Sequence, residues 1–74
     1  MPKYYFTFGH GNPNGNMCLP IIASSYVAAR DEMHRLYGTK WCTGYSEIEW
    51  KNIKERLGVF AEKEMAPIVA KEKI

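Results

Sequence analysis

The chain has 74 residues, a length that leaves no room for two independent hydrophobic cores and so excludes a multidomain enzyme. Hydrophobic residues make up 46% and charged residues 24%, close to globular averages, so we expect the chain to fold. Its net charge of +2 is too small for a nucleic-acid-binding surface, and nucleic acid is therefore not a favoured partner.

The aromatic run YYFTF near the start of the chain predicts a first β-strand. Strict alternation would place Tyr4, Phe6 and Phe8 on a buried face and would turn Tyr5 and Thr7 outward. A second apolar run follows at positions 17–23, which predicts an antiparallel hairpin. The proline at position 20 of this run has no N–H group, so we expect the second strand to lie at a sheet edge, at least there.

The hairpin connection has the sequence GHGNPNGN at positions 9–16. A hairpin needs only about two to five connecting residues, so the extra length suggests a ligand-binding role. Glycines let backbone N–H groups approach a ligand, asparagines offer donors and acceptors, and His10 can stack on a base or bond a phosphate. The alternative is a flexible, polar hairpin tip, and no helix follows that would make a phosphate-binding motif.

A first helix is predicted up to Tyr37, with Ser24 or Ser25 as its N-cap and Gly38 as a left-handed C-cap. Its apolar stripe consists of Tyr26, Ala29, Met33, Leu36 and Tyr37. Its solvated side carries Arg30, Glu32, His34 and Arg35. We therefore expect one face of this helix to cover the sheet.

The segment from Lys40 to Tyr45 predicts a third, short strand, which Gly44 weakens. Ser46 and Glu49 then form a capping box that opens a second helix, and Gly58 closes it. This helix presents on one side Trp50, Ile53 and Leu57.

Residues 1–60 thus predict one α+β domain of order β-β-α-β-α, in which two helices cover one face of an antiparallel sheet. Residues 61–74 form a charged C-terminal tail interrupted by Pro67, which could be a broken helix, a frayed tail or an arm that docks on another subunit. Three strands make a thin sheet with open edges, so a homo-oligomer is expected.

The sequence predicts no enzyme, because neither histidine has a nucleophile at a spacing that local geometry would pair with it. Cys18 and Cys42 are expected to be buried free thiols, and no metal-ligand spacing or cofactor motif is present. The start of the chain has no apolar leader and no run is long enough for a membrane span. We therefore expect a cytoplasmic protein without a membrane partner.

A spaced pattern over about residues 3–50 resembles a family of very short, mostly uncharacterised phage and prophage proteins that open with a YFTFG-type strand. The matching positions are residues 4–9, Gly11, Pro13, Ile21, Ala23, Ala29, Arg30, Met33, Gly38, Lys40, Trp41 and Tyr45. Small phage genes of this kind often encode counter-defence proteins that block an immune effector or sequester a nucleotide-type immune signal. The resemblance implies action in the bacterial host cytoplasm and assigns no catalytic residue.

We therefore predict a non-enzymatic counter-defence protein that sequesters a small nucleotide-derived ligand. In this interpretation Tyr5 stacks on the ligand, and Arg30 or Lys40 neutralises its charge. The phosphate or ribose contacts would come from Gly9, His10, Gly11, Asn12 and Asn14. The alternative is an inhibitor of the anti-CRISPR type that binds a bacterial defence protein through residues 47–74, including the apolar group at positions 68–70.

Overall fold

The computed structural model of the protein describes residues 2–9, 13, 15, 17–57 and 63–71. Two helices and five strands follow one another in the order β1-β2-α1-β3-α2-β4-β5. Their bounds are β1 Lys3–Thr7, β2 Met17–Ile22, α1 Tyr26–Tyr37, β3 Thr43–Ser46, α2 Glu47–Leu57, β4 Lys63–Glu64 and β5 Ile68–Val69. The predicted α+β class with two helices is confirmed.

The sheet places β1 between β2 and β3 and antiparallel to both. Tyr5 of β1 lies opposite Pro20 of β2 and Tyr45 of β3, which fixes the register of the three strands. On the other side of β2, β4 and β5 run parallel to it. The predicted hairpin is confirmed, whereas the sheet is mixed rather than antiparallel and has five strands instead of three.

β4 and β5 together act as one strand that is broken beside Pro20. Cys18 pairs with Glu64 and Ile21 with Ile68, so two residues of β2 face three residues of the partner. Pro20 has no N–H group to donate, and the extra residue forms a bulge where the ladder would otherwise lack a hydrogen bond. The edge position predicted for the second strand is therefore wrong, except at the bulge itself.

The described part of the C-terminal tail belongs to the sheet. The Met65 N–H donates to the Cys18 carbonyl and the Ala70 N–H to the Ile22 carbonyl, each at 2.8 Å. Ala70 is buried in the core. The expectation of a helix, a frayed tail or a free arm is wrong for residues 63–71, because the β2 edge offered backbone partners that local sequence patterns do not reveal.

The two helices lie on opposite faces of the sheet. On the α1 face, Phe6 packs with Leu19, Ile21 and Met33, and each is at most 1% exposed. The α2 face is the other side, and successive strand residues point alternately to the two. The predicted placement of Tyr4, Phe6 and Phe8 on a common face is confirmed, since Phe6 and Phe8 are buried and the half-buried Tyr4 packs against the same core.

The α2 face buries the side chains that were expected to point outward. Tyr5 is 8% exposed and Thr7 is 4% exposed. Tyr5 forms a cluster with Cys18 and with Trp50 of α2. The prediction that both helices cover one face is therefore wrong, and the exposure predicted for Tyr5 and Thr7 is wrong for the same reason.

Local sequence signals define the helix ends. The Ser25 hydroxyl accepts the Ala28 N–H at 3.2 Å, which makes it the N-cap of α1. The predicted capping box opens α2: the Ser46 hydroxyl accepts the Glu49 N–H at 3.2 Å, and the Glu49 carboxylate accepts the Ser46 N–H at 3.0 Å. Hydrogen bonds to the carboxylate from the Ser46 backbone N–H and then from the Ser46 side chain hold the pKa of Glu49 below its ordinary value. Gly38 ends α1 with the positive φ predicted, 61°, but its ψ of −119° lies outside the left-handed helical region.

β3 begins at Thr43, three residues later than predicted, because the Lys40 N–H donates to the Tyr37 carbonyl in a turn that follows α1. Gly44 is necessary in this strand. A Cβ at Gly44 would lie 2.4 Å from the Phe6 ring, which covers the glycine from the neighbouring strand. Gly44, which is unfavourable in a strand by its sequence propensity, is thus required for packing on the α1 face.

Candidate functional site

The sheet gives the molecule two ends. At the loop end, positions 8–16 connect β1 to β2, and both helices begin at the opposite end. α1 follows the far end of β2, and its C-terminal turn leads to Cys42, whose N–H donates to the Thr7 carbonyl at 2.8 Å. α2 starts next to Ser46, which pairs with Tyr4 at the end of the sheet away from the loop. β4, which follows α2, starts opposite Met17 at the loop end. Both helices therefore run towards the loop end.

At the loop end, the hairpin connection begins in contact with the segment between α1 and β3. Gly9 has φ of 81°, a conformation that favours glycine. A Cβ at Gly9 would lie 3.0 Å from the Cβ of Cys42. This close approach brings the start of the glycine and asparagine loop beside the turn that carries Lys40.

Two aromatic rings meet at the same end. The Gly38 carbonyl accepts a hydrogen bond from Trp41 Nε1 at 3.1 Å and lies 3.1 Å from His34 Nδ1. The His34 and Trp41 rings meet edge to face, with centroids 5.4 Å apart. Because a carbonyl can only accept, we assign the His34 proton to Nδ1, which leaves Nε2 as an acceptor in the neutral ring. Trp41 is half-buried against Phe6, at 5.3 Å between centroids.

Two of the eight predicted ligand-binding residues, Gly9 and Lys40, lie at this end. Lys40 is exposed. His10, Gly11, Asn12 and Asn14 lie outside the described residues, so their predicted role stays a prediction.

Tyr5 and Arg30 do not join them. The Tyr5 ring is stacked on Trp50, with centroids 4.9 Å apart and planes 4° from parallel. Arg30 is exposed on α1, where its Nη2 lies 3.6 Å from Asp31 Oδ1. The sheet separates Tyr5 from Arg30, so these two residues do not share a site within a single subunit. The Tyr5 ring, which was expected to stack on a ligand, stacks on Trp50 of α2 instead.

The charge of the loop end comes partly from the backbone. The C-terminal ends of both helices lie there, and a helix C-terminus carries about half a negative charge. This field disfavours a bound anion. A phosphate at the loop end would therefore depend on Lys40 and on N–H groups of the connection.

The side of α1 that faces Lys71 carries a charged residue whose burial was not predicted from the sequence. Glu32 was expected on the solvated side of α1, yet it is 4% exposed. Arg35 Nε donates to its Oε1 at 3.1 Å, Arg35 Nη2 donates to its Oε2, and the Lys71 N–H lies 3.4 Å from Oε1. The bonds from Arg35 outweigh burial and, with the Lys71 N–H, hold the pKa of Glu32 below its ordinary value.

A cleft of about 500 Å³ opens beside this ion pair. One side of α1 from Ser25 to Arg35 lines it, together with Lys71 from the segment after β5. The spacing of Glu32 and Arg35, three residues apart on a helix, was a signal for the ion pair. No local signal shows that Lys71, 39 residues along the chain, completes it.

The cysteines differ from each other. Cys18 is a buried free thiol, as predicted, and burial raises its pKa. Cys42 is free but exposed, so its predicted burial is wrong: it precedes β3, and Thr43 Oγ1 donates to its Sγ at 3.3 Å. Across the described ranges, no group of three His, Cys, Asp or Glu side chains could hold a metal ion.

Comparison with known proteins gives no further assignment. No protein-family model matches the chain, and neither a curated protein nor a solved structure is significantly similar to it. Within the part of the chain that the structure describes, no helix has the length and apolar character needed to span a membrane. The candidate sites are therefore judged on their own geometry.

Proposed function

We propose that this protein is a non-enzymatic phage counter-defence protein that binds and sequesters a small nucleotide-derived immune signal at the loop end. The observation that supports the site is the meeting of the His34 and Trp41 rings beside Gly9, where the glycine and asparagine connection starts. Aromatic faces bind nucleobases by stacking, and loop amides bind ribose and phosphate. The phage and counter-defence parts of the proposal rest on the sequence resemblance.

In this proposal Trp41 takes the stacking role that Tyr5 does not fill. Lys40 offsets the negative helix ends, and His34 Nε2 accepts a hydrogen bond from a ligand hydroxyl or amine group. Because those helix ends oppose anions, the ligand is recognised mainly through its ring and sugar. The matching signal has few phosphate charges rather than a polyphosphate chain.

Native mass spectrometry on protein exposed to a lysate of phage-challenged bacteria tests the proposal. We expect a retained adduct of a few hundred daltons on the wild type. Trp41→Leu keeps an apolar side chain against Phe6 but removes the stacking face, so it should lose the adduct while circular dichroism stays unchanged. Lys51→Gln, on the exposed surface of α2, is the control and should retain it.

The loop has its own test, because replacing His10 and Asn12 with alanine should also abolish the adduct without unfolding the protein. An adduct that survives both the loop variant and Trp41→Leu would rule out the loop end. The subunit number is read from the same spectra, and we propose a homo-oligomer.

A second candidate is an inhibitor that covers a bacterial defence protein, and the exposure of Ile48 favours it. This side chain of α2 is 75% exposed, although Trp50 of the same helix is buried. The apolar tail group contributes less than predicted, because Ala70 is buried and Ile68 packs on the core, which leaves Val69 exposed at 60%. A retained protein that is lost from Ile48→Glu, with no small adduct on the wild type, would establish this function instead.

A further inference from the structure

The cleft between α1 and the segment after β5 is lined by none of the residues proposed above to bind the ligand. We propose that this cleft is a separate binding site for an aliphatic carboxylate, held by the guanidinium of Arg35 and the ammonium of Lys71. Its volume of about 500 Å³ is within the range of small-molecule sites.

Arg35 is held in place for this role. Arg35 Nε and one N–H of Nη2 donate to the two carboxylate oxygens of Glu32. The N–H groups of Nη1 and the other N–H of Nη2 remain as hydrogen-bond donors on the end of the guanidinium that points away from Glu32. The Glu32 side chain is 3% exposed, whereas that of Arg35 is 50% exposed. A carboxylate matches such a donor edge with two parallel hydrogen bonds, and little side-chain freedom is lost because Glu32 already orients the guanidinium.

Lys71 supplies a second positive charge. It lines the same cleft, its backbone N–H bonds to Glu32, and its charge acts on that carboxylate. Lys71 is exposed, so its ammonium group can reach a ligand without leaving a buried position. Both cationic residues therefore line the cleft in which the carboxylate of the ligand would bind.

The remaining lining selects the class of anion. The negative charges of Asp31 and Glu32 equal the positive charges of Arg35 and Lys71, so the lining has no net formal charge. Without an excess of positive charge, the cleft does not favour a dianion. Val27, which is 53% exposed, and Ala28 offer an apolar wall on α1. A singly charged carboxylate with a short branched hydrocarbon chain satisfies both parts.

Amide chemical shifts of the intact ¹⁵N-labelled protein, recorded at constant ionic strength and pH 7, test the site with three probes. Isovalerate should shift the amides of residues 25–35 and 71 in a saturable way. Isovaleramide, which has the same shape without charge, should bind about tenfold more weakly, and so should inorganic phosphate. Equal binding of the amide, tighter binding of phosphate, or no shifts in the cleft would overturn the proposal.

Matched variants separate the site from general charge effects. Lys71→Gln should weaken isovalerate binding about tenfold, whereas Lys51→Gln, the same change on α2, should leave it unchanged. Val27→Glu places a like charge at the apolar wall and should also weaken binding. Equal effects of the two lysine variants would contradict the proposal. Trp41→Leu should bind isovalerate as the wild type does, so failure of the loop-end function and failure of this site are distinguishable.

A carboxylate can come from a free acid or from the end of a peptide. Acetyl-glycyl-valine with a free carboxylate is the probe that separates them, with its amide as the control. Tighter binding of the dipeptide than of isovalerate supports the site and identifies a peptide carboxylate, and weaker or equal binding supports it for a free acid. If the dipeptide binds and its amide binds equally well, the proposal is overturned, because the carboxylate then contributes nothing.

Discussion

The two faces of the sheet bury their hydrophobic side chains in different ways. The α1 face has a continuous core in which Phe6, Leu19, Ile21 and Met33 are almost completely buried. The α2 face has a smaller cluster in which the Tyr5 ring lies flat on Trp50. A chain of this size has enough apolar surface for one large core, and the second face is covered by a few large rings.

This difference explains where the candidate sites lie. α1 carries His34 beside Trp41 and the Glu32–Arg35 pair beside Lys71, so both sites are built on the helix that packs on the larger core. A rigid element positions functional groups better than a mobile one. α2 contributes a buried Trp50 but none of the charged groups proposed to bind a ligand.

Neighbouring residues on β1 test the comparison with the largest expected effect. Phe6→Ala should lower the free energy of unfolding by about 3–5 kcal/mol, because the ring is fully buried on the α1 face. Tyr5→Ala should cost less, since its ring contacts a smaller cluster. Urea unfolding followed by circular dichroism gives both values. If Phe6→Ala does not fold, the comparison of Phe6→Leu with Tyr5→Leu tests the same difference. Equal losses of unfolding free energy in the two variants would contradict the difference between the faces.

The Glu32–Arg35 ion pair gives a smaller, pH-dependent effect. Glu32→Gln should lower the free energy of unfolding at pH 7 by about 1–3 kcal/mol, because a buried carboxylate loses charge-assisted bonds from Arg35. The pKa of Glu32 is lowered by folding, so its stabilisation is present above the ordinary glutamate value of about 4.3 and is lost as the pH falls through the lower, folded-state pKa.

Urea unfolding of both proteins from pH 7 down to about pH 2 measures this difference. The gap between wild type and Glu32→Gln should be constant above about pH 5, narrow below about 4.3 and close at the acid end. The lowered pKa of Glu49 is common to both proteins and cancels. Glu55→Gln, on the exposed side of α2, should change stability little. A gap that does not depend on pH would show that the Glu32 charge contributes nothing.

The parts of the fold that local chemistry determines could be predicted from the sequence. The capping box at Ser46 and the C-terminal glycine of α1 act through groups within a few residues, and the hairpin follows from alternation on both sides of a turn-rich segment. The tail could not be predicted, because β4 and β5 form only where β2 offers a parallel edge across a long sequence separation. The burial of Tyr5 depends on Trp50 in the same way.

The candidate sites were predicted less completely for the same reason. Gly9 and Lys40 were proposed as ligand contacts, and the structure places both at the loop end. The pairing of His34 with Trp41 requires the Gly38 carbonyl between them, which only the folded turn provides. The cleft depends on contact between α1 and Lys71, and no periodicity in either segment indicates that contact.

The smallest expected effect concerns the stack that closes the α2 face. In a double-mutant cycle with Tyr5→Leu and Trp50→Leu, the double variant should lose about 0.5–1.5 kcal/mol less stability than the sum of the two single losses, because each single change already removes the stacking contact. Urea unfolding of the four proteins measures it.

The control cycle pairs Trp50→Leu with Tyr4→Leu. The Tyr4 ring lies edge to face with Tyr26 on the α1 side, with centroids 5.9 Å apart, so the sheet separates it from Trp50. These two changes should add within about 0.5 kcal/mol. A coupling in the Tyr5 cycle no larger than in this control would mean that the stack adds nothing to burial, and the two faces would then differ only in how much apolar surface each one covers.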